Sequence, residues 1–255
     1  MKVIAVANQK GGVAKTTTAI NLSAALAELG KRVLLVDLDP QANATSGLGM
    51  NPDPGSSLYP AMIKKRTIHQ QIQSTPHMNL YMVTSEIDLA GCEVELAQLD
   101  EPLGRLKEIL EPVRQDAEFD YIIIDCPPSV GVLMTSALAA AEGVLIPVQC
   151  EFYAMEGVTK IMDLISKIKP INDKLLIFGV VMTMFDVRTK LSQQVVADVK
   201  EYLQDRVFQT IVPRSVRVSE APSFGQPITQ YDRDGIGSKT YRKLATEFIA
   251  RAEKM

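Results

Sequence analysis

The chain has 255 residues, 46% of them hydrophobic, and a formal net charge of −3 at pH 7. This length suits one large α/β domain and leaves little for a second, and the net charge argues against a protein coated in positive charge for nucleic acid. No apolar stretch approaches the roughly 18 residues that a membrane span requires, and no charged-then-apolar leader is present, so we predict a cytoplasmic protein with a single domain over residues 1–255.

The first predicted element is a short strand over the apolar residues 3–7, which runs directly into a glycine-bearing turn. Backbone N–H groups in such a turn, and those at the start of the helix behind it, present partial positive charge to an anion. Lys15 and Thr16 have the positions of the phosphate-binding lysine of a P-loop and of the hydroxyl that binds Mg²⁺. The predicted phosphate-binding residues are Lys10, Gly11, Gly12, Val13, Ala14, Lys15, Thr16 and Thr17.

The turn departs from the usual pattern G-x-x-x-x-G-K-[ST], because Gln9 and Ala14 stand where that pattern has glycine. If the backbone of Ala14 has a positive φ, its methyl group costs about 1 kcal/mol or more. Lys10, five residues before Lys15, is an additional cation that the usual pattern does not contain. Apart from Ala14, residues 8–21 are similar to the deviant Walker A sequence x-K-G-G-x-G-K-[ST], found in the group of ParA, MinD and the nitrogenase iron protein.

Beyond the turn, predicted helices and nearly continuous apolar strands alternate along the chain. A helix over Thr16–Leu29 should end at Gly30, and a strand over Arg32–Asp37 follows. Further strands are predicted at residues 80–83, 121–124, 144–148, 175–182 and 207–212, a mobile surface connection at 41–57, and a last helix at 238–253. This alternation predicts an α/β fold with one doubly wound, mostly parallel sheet flanked by helices.

Two aspartates end apolar strands, at the edge where an open parallel sheet binds its ligand. Asp125 closes the strand 121–125, in the form of a Walker B carboxylate that supports Mg²⁺. Asp39 follows the second strand and precedes Pro40. The alternative interpretation for each is a carboxylate that only caps a turn or the next helix.

These aspartates belong to stretches that resemble the successive motifs of ParA-type partition ATPases, in particular the Soj branch. The stretches are residues 37–43 (DLDPQAN), 125–129 (DCPPS) and 219–225 (SEAPSFG). The resemblance spans almost the whole chain. It implies a single α/β domain that dimerises face to face around two ATP·Mg²⁺.

The resemblance also assigns roles by position. Lys15 would contact the β- and γ-phosphates, Thr16 would bind Mg²⁺, Asp125 would support the metal, and Asp39, beside the metal, would position the attacking water. Lys10 would be the signature lysine that reaches the nucleotide of the other subunit, where added positive charge on the γ-phosphate promotes its transfer. The predicted catalytic residues are therefore Lys10, Lys15 and Asp39, and the predicted metal-binding residues are Thr16, Asp39 and Asp125.

Pro213 and Ser215 match the stretch that contacts adenine in this family, although the family more often has Asn at the second position. In the family the ATP-bound dimer binds double-stranded DNA without sequence preference, and Arg188 and Arg217 match family positions of this kind. From Asp186 onward 12 Lys and Arg residues stand against 9 Asp and Glu residues, and Lys239, Arg242 and Lys243 are DNA-binding candidates from charge alone.

The resemblance further implies a centromere-binding partner of the ParB type that stimulates hydrolysis, and a protein associated with the nucleoid. The first strand begins at residue 2, so we expect no N-terminal helix-turn-helix domain. A MinD-type membrane ATPase is the alternative, and it would need a basic amphipathic helix beyond the fold. An iron–sulfur ATPase is a weaker alternative, because Cys126 lies too close behind Asp125 and no second cysteine has a matching setting. Cys92, Cys126 and Cys150 are widely spaced and fit reduced core thiols.

Overall fold

A computed structural model describes residues 1–96 and 101–255 of the chain. The strands are β1 (Lys2–Val6), β2 (Val33–Asp37), β3 (Ile72–Ser74), β4 (Leu80–Val83), β5 (Tyr121–Asp125), β6 (Gly143–Gln149) and β7 (Leu176–Thr183). They form one sheet in the spatial order β3-β4-β2-β5-β1-β6-β7, and the pairing is parallel throughout except between β3 and β4. The prediction of an α/β fold with a mostly parallel sheet is confirmed.

Helices cover both faces of this sheet, as crossover connections between parallel strands require. The α-helices are α1 (Lys15–Glu28), α2 (Asn43–Gly47), α3 (Leu58–Met62), α4 (Cys92–Leu96), α5 (Arg105–Asp116), α6 (Val132–Ala140), α7 (Ala154–Ile168), α8 (Lys190–Leu203), α9 (Val216–Glu220), α10 (Ile228–Tyr231) and α11 (Ile236–Ala252). One apolar cluster packs α1 and α11 against one face, and a second packs α5 to α8 against the other. Within the two described ranges, no helix combines the length and apolar character needed to cross a bilayer.

The central strands explain why the sequence shows continuous apolar runs rather than alternation. Every residue of β2 and β5 is buried, because each strand has helices on both faces. Both strands end in an aspartate, and Asp37 and Asp125 are partners in the β2–β5 register. Val6, the last residue of β1, is also paired with Asp125. The loop after β1 and the two carboxylates therefore meet at the same edge of the sheet.

The strand predicted over residues 207–212 is absent from the described fold, so that prediction is wrong. The segment runs beside β7, where the N–H groups of Phe208 and Val212 donate to the carbonyls of Val180 and Met182 at 2.8 Å and Val207 makes an isolated bridge. The Glu247 carboxylate of α11 accepts the N–H groups of Gln209 and Thr210 at 2.8 and 2.9 Å. Those N–H groups bond a side chain instead of a neighbouring strand, so no regular ladder forms.

The stretch 41–57 also differs from its prediction as a mobile surface connection. It contains α2, and both Thr45 and Leu48 are buried. The short antiparallel strand β3 was not predicted, because Gln73 and Ser74 leave it without an apolar run. The last helix begins at Ile236, two residues before its predicted start.

Candidate nucleotide site

The loop between β1 and α1 is held by side chains from the strands beside it. The Asn8 amide donates to the carbonyl of Pro147 at 2.8 Å and accepts the N–H of Lys10 at 3.1 Å. On the other side, the Thr183 hydroxyl donates to the carbonyl of Val13 at 3.1 Å. These bonds fix the loop backbone, so its N–H groups are pre-arranged for an anion.

The loop contains two residues in the left-handed region of backbone conformation. Gly12 has a φ of 73°, and Ala14 has a φ of 69° and a ψ of 37° at the N-cap of α1. Glycine adopts this conformation without penalty, whereas the Ala14 methyl costs about 1 kcal/mol. Ala14 therefore has a positive φ, and its methyl group carries the steric cost expected for that conformation.

The two lysines of the loop lie in different surroundings. Lys15 is only 7% exposed, and its ammonium donates to the carbonyl of Lys10 at 3.2 Å. Burial lowers the pKa of Lys15, and the negative charge of Asp125 partly opposes that shift. The ammonium of Lys10 instead lies 5.9 Å from the centre of the Tyr153 ring, beside a surface groove of about 380 Å³. Lys15 thus serves the loop itself, while Lys10 extends away from it.

Asp125 is a buried acid at the site with little to compensate its charge. It is completely buried, and within the described chain neither carboxylate oxygen has a hydrogen-bond partner of good geometry. Burial raises the pKa of its carboxyl well above the usual range, and the charge of Asp37 raises it further. The nearby Thr16 hydroxyl and Lys15 ammonium act in the opposite direction. A buried anion with so little compensation is typical of a site that binds a cation.

Asp37 and Asp39 differ in what their carboxylates contact. Asp37 is completely buried and accepts the N–H of Thr45 at 2.8 Å, the Thr45 hydroxyl at 2.7 Å and the N–H of Asp39 at 3.2 Å. Burial is the main reason that the pKa of Asp37 rises to about 6. Asp39 uses one oxygen to accept the N–H of Gln41 at 3.0 Å. Asp37 therefore anchors α2, and Asp39 retains acceptor capacity at the strand edge.

The donor set suits Mg²⁺ bound together with phosphate. No group of three or more Asp, Glu, His or Cys side chains is arranged around a common point in the ranges that the structure describes. Mg²⁺ commonly takes only one or two protein oxygens and completes its shell with phosphates and water. Thr16 at the start of α1 and the uncompensated Asp125 fit that requirement.

A small cavity of about 130 Å³ lies beside the loop, on the side of the predicted base contacts. Ala14 and Thr17 line one part of it, Pro213 and Ser215 another, and Tyr241 of α11 also contributes. The Ser215 hydroxyl accepts the N–H of Val218 at 3.5 Å and caps α9. Pro213 and Ser215 therefore line the same cavity as Ala14 at the end of the loop, and their contact with the base stays a prediction.

The predicted DNA-binding residues do not form one set of unpaired cations. Arg188 makes a bidentate pair with Asp186 at 2.6 and 2.9 Å, and the pair lowers the pKa of Asp186 to about 2. Arg217 stacks on the Tyr231 ring at 4.6 Å and lies 3.3 Å from the Glu220 carboxylate.

The candidates on α11 differ from one another. Arg242 pairs with Glu28 at 2.7 Å and also donates to the carbonyls of Arg233 and Thr229. Its guanidinium is therefore engaged in holding α11 to α1 and α10. Lys239 and Lys243 are exposed.

Several residues that shape the site were not assigned roles from the sequence. Asn8 and Thr183 fix the loop, and Asp37 anchors α2 beside Asp39. Polar residues at the ends of apolar strands were the available signal, since Asn8 follows β1 and Thr183 ends β7. Cys126 and Cys150 are buried free thiols, as expected, and burial raises the pKa of both.

Comparison with known proteins identifies close relatives over the full chain. A family model described as an AAA domain matches residues 1–177. The chain is 49% identical to the sporulation initiation inhibitor protein Soj of Bacillus subtilis over 251 residues, covering 98% of each protein. It is 47% identical to the chromosome-partitioning ATPase Soj of Treponema pallidum, again covering 98% of each. It is 46% identical to the chromosome partitioning protein ParA of Caulobacter vibrioides, covering 98% of this chain and 95% of that protein.

Solved structures with the same architecture include one with bound nucleotide. Cobyrinic acid a,c-diamide synthase from Mycobacterium smegmatis with bound ATP analogue and magnesium has a TM-score of 0.86 and 36% identity, covering 99% of this chain and 96% of that one. The cell division ATPase MinD of Pyrococcus furiosus has a TM-score of 0.81 and 26% identity, covering 98% of each chain.

Proposed function

Because the chain belongs to the family of ParA and Soj chromosome-partitioning ATPases, we propose that it uses ATP hydrolysis to cycle between a DNA-bound dimer and a free monomer. It is an ATPase that acts with Mg²⁺, as its nucleotide-bound structural neighbours support. In the proposed cycle, the ATP-bound dimer binds duplex DNA without sequence preference. A centromere-binding partner of the ParB type stimulates hydrolysis and so releases the dimer from the nucleoid.

Each part of the site has a task in this cycle. The loop N–H groups and Lys15 bind the phosphates, and Thr16 and Asp125 would hold Mg²⁺, which when bound would neutralise charge that develops on the phosphates. The free acceptor capacity of Asp39 orients the attacking water toward the γ-phosphate. The Asp125 carboxylate would gain the positive charge that it otherwise lacks from the bound ion, so nucleotide binding would relieve the cost of burying that acid.

The position of Lys10 is the observation that carries the dimer proposal. Its ammonium lies at the Tyr153 ring beside a surface groove, whereas Lys15 is buried in the loop. A cation on the outer side of the loop is available to a nucleotide held by a second copy of the chain. Positive charge supplied from outside the loop is how phosphoryl transfer is commonly completed. A site completed in this way hydrolyses ATP only when two copies are paired.

The Asp39→Ala variant tests the cycle directly. Because Asp39 serves the water rather than the bound ground state, this variant should bind ATP normally, lose turnover and accumulate as a dimer. Light scattering with saturating ATP and Mg²⁺ should give twice the monomer mass, and adding Lys10→Ala should return the monomer mass. A lone protomer for both the wild type and Asp39→Ala under these conditions would refute the proposal.

DNA binding is tested by a salt titration on random duplex DNA with ATP, with ADP and without nucleotide. Only ATP should support binding, and the affinity should fall steeply with salt because phosphate contacts dominate it. Liposome sedimentation under the same conditions addresses the MinD-type alternative. Liposome binding without DNA binding would favour a membrane-associated ATPase over a partition ATPase.

A further inference from the structure

Tyr231 of α10 connects two exposed side chains on the surface beside α9. The guanidinium carbon of Arg217 lies 4.6 Å from the centre of the Tyr231 ring. The ring of Phe224 stacks on Tyr231, with 4.8 Å between the ring centres and 26° between the ring planes. Tyr231 itself packs against the apolar cluster that holds α1 and α11, which anchors its ring from the inside. Phe224, in contrast, is 62% exposed, so it adds little to the core.

Hydrogen bonds fix one side of the Arg217 guanidinium. Its Nη1 donates to the Tyr231 hydroxyl and to the Glu220 carboxylate, both at 3.3 Å, and the Tyr231 hydroxyl donates to the same carboxylate at 3.3 Å. Its Nε lies 3.9 Å from the Asp232 carboxylate. Its Nη2 makes no hydrogen bond in the part of the chain that the structure describes, and 54% of the side chain is exposed. The guanidinium is thus held in one place and keeps donors for a further acceptor.

The other two arginines predicted to bind DNA are held differently. Asp186 binds two nitrogens of Arg188, which has no aromatic ring within cation–π distance among the described residues. Arg242 uses all three of its nitrogens, on Glu28 and on two backbone carbonyls. Arg217 therefore combines an aromatic support with an unbonded nitrogen, which neither of the others does.

An arginine that is already fixed binds phosphate at a lower entropic cost. The side chain has several freely rotating bonds, and ordering such a side chain during binding weakens the affinity. Stacking on an aromatic ring restricts those rotations before the ligand arrives and leaves the edge of the guanidinium free to donate. The phosphates of duplex DNA are anionic acceptors that suit such a donor.

We propose that Tyr231 is a positioning residue for DNA binding, whose ring, supported by Phe224, holds the Arg217 guanidinium so that its unbonded nitrogen donates to a DNA phosphate. This inference rests on the proposed function, because it requires an ATP-bound dimer that binds duplex DNA. Tyr231 does not contact the phosphate itself. Its effect on DNA affinity is therefore exerted through Arg217.

A double-mutant cycle tests this dependence, with ATP-bound protein and random duplex DNA. Tyr231→Leu removes the stacking surface and should weaken DNA binding about three- to tenfold, the cost of ordering an arginine during binding. In an Arg217→Ala background, Tyr231→Leu should have no further effect on DNA affinity. A general disturbance of the fold would instead lower the affinity in both backgrounds. ATP affinity and dimer mass should be the same for Tyr231→Leu and for the wild type.

Two further variants separate the ring from its hydroxyl and from surface tyrosines in general. Tyr231→Phe keeps the ring, and the lost hydroxyl bonds are long, so its DNA affinity should stay within about twofold of the wild type. Tyr202→Leu, at a tyrosine of α8 that is 56% exposed, is the matched control and should leave DNA affinity unchanged. If Tyr231→Leu fails to fold, Phe224→Ala at the exposed end of the stack gives the same cycle and the same refuting outcomes.

Unchanged DNA binding by Tyr231→Leu, or equal weakening with and without Arg217, would overturn the proposal. DNA binding that is unaffected by Arg217→Ala would also overturn it, because the arginine would then make no phosphate contact. A wild type that does not bind DNA with ATP would instead refute the proposed function itself.

Discussion

The nucleotide site differs from the C-terminal surface, formed by residues from Asp186 onward, in how the charges of its side chains are compensated. At the site, Lys15 and Asp125 are buried, and the carboxylate of Asp125 makes no hydrogen bond of good geometry in the described chain. On the C-terminal surface, Arg188 and Arg217 are exposed and each lies against a carboxylate, Asp186 and Glu220 respectively. Burying an uncompensated charge at the site costs free energy, and a bound ligand can remove that cost. The exposed arginines of the C-terminal surface are already paired with carboxylates.

This difference predicts how the two regions respond to substitution. Removing a buried charge at the site should change ligand binding strongly and can stabilise the protein without ligand. Removing one member of an exposed pair should change binding only weakly, because solvent already screens the pair.

The largest effect is expected for Lys15→Ala. The ammonium is the buried cation of the loop, and charged hydrogen bonds to phosphate are worth up to about 3 kcal/mol, so ATP binding should weaken by about 100-fold or more. Titration with a fluorescent ATP analogue measures this loss. Lys31→Ala, at the opposite end of α1, is the control and should bind normally. A Lys15→Ala variant that still binds and dimerises with ATP would remove Lys15 from the site.

Asp125→Asn is expected to have opposite effects on stability and on ligand binding. The pKa of the Asp125 carboxyl is raised in the folded protein, so the folded protein binds the carboxyl proton more tightly than the unfolded chain does. The free energy of unfolding should therefore decline as the pH rises above about 4, until the folded pKa is passed. Asp37, whose pKa rises to about 6, contributes in the same direction.

The Asp125→Asn substitution should remove part of this decline in the free energy of unfolding with rising pH. Near pH 8 the variant without nucleotide should melt about 2–4 °C above the wild type, and this advantage should shrink as the pH falls toward 4. With ATP and Mg²⁺ it should gain less stability than the wild type, because a metal ligand is lost. Thermal melts across this pH range measure both effects, with the exposed Asp163→Asn as control. A variant that is less stable than the wild type at every pH would show that Asp125 is satisfied by packing rather than by a metal.

A smaller effect is expected on the exposed surface, for Asp186→Asn. The Asp186 carboxylate holds the guanidinium of Arg188 and would compete with a DNA phosphate for it. Releasing Arg188 should raise the affinity of the ATP-bound dimer for random duplex DNA about two- to fivefold and steepen its salt dependence. Asp163→Asn makes the same change in net charge elsewhere and should have a smaller effect. If Asp186→Asn and Asp163→Asn increase binding equally, only net charge matters and Arg188 makes no specific phosphate contact.

The sequence predicts most of this organisation, for identifiable physical reasons. Strands covered by helices on both faces produce unbroken apolar runs, so β2 and β5 and the aspartates at their ends could be located. The segment 207–212 shows the same pattern, yet Glu247, a residue far along the chain, accepts the N–H groups of Gln209 and Thr210 and interrupts the ladder to β7. Tyr241 has the spacing of a core residue in a helix, and only the fold brings it to the lining of the cavity beside the loop.

The pairing of Arg242 was also outside the reach of the sequence. Arg217 and Glu220 are three residues apart in α9, so their pairing is local, whereas the distance from Arg242 to Glu28 depends on how α11 packs on α1. Arg242 was predicted to bind DNA from its charge alone. In the fold its guanidinium holds α11 to α1 and α10. DNA binding by the exposed Lys239 and Lys243 stays a prediction from charge alone.

The smallest expected effect is on the backbone of the site, for Ala14→Gly. Ala14 and Ala42 occupy equivalent positions, since each is a non-glycine N-cap in the left-handed region, with φ of 69° and 52°. Replacing either by glycine should remove a steric cost of about 1 kcal/mol, partly offset by the greater entropy of glycine in the unfolded chain. Each variant should therefore melt about 1–3 °C above the wild type.

Nucleotide binding then separates the two alanines, because only Ala14 lies in the phosphate loop, at the point where its N–H groups converge. If the Ala14 methyl holds the loop in its binding conformation, Ala14→Gly should raise the melting temperature while leaving more loop conformations accessible, so ATP affinity should fall slightly. Ala42→Gly should raise the melting temperature and leave affinity unchanged. Calorimetry and nucleotide titration on both variants measure this difference. A lower melting temperature for Ala14→Gly, together with the expected rise for Ala42→Gly, would mean that Ala14 does not adopt the left-handed conformation in solution.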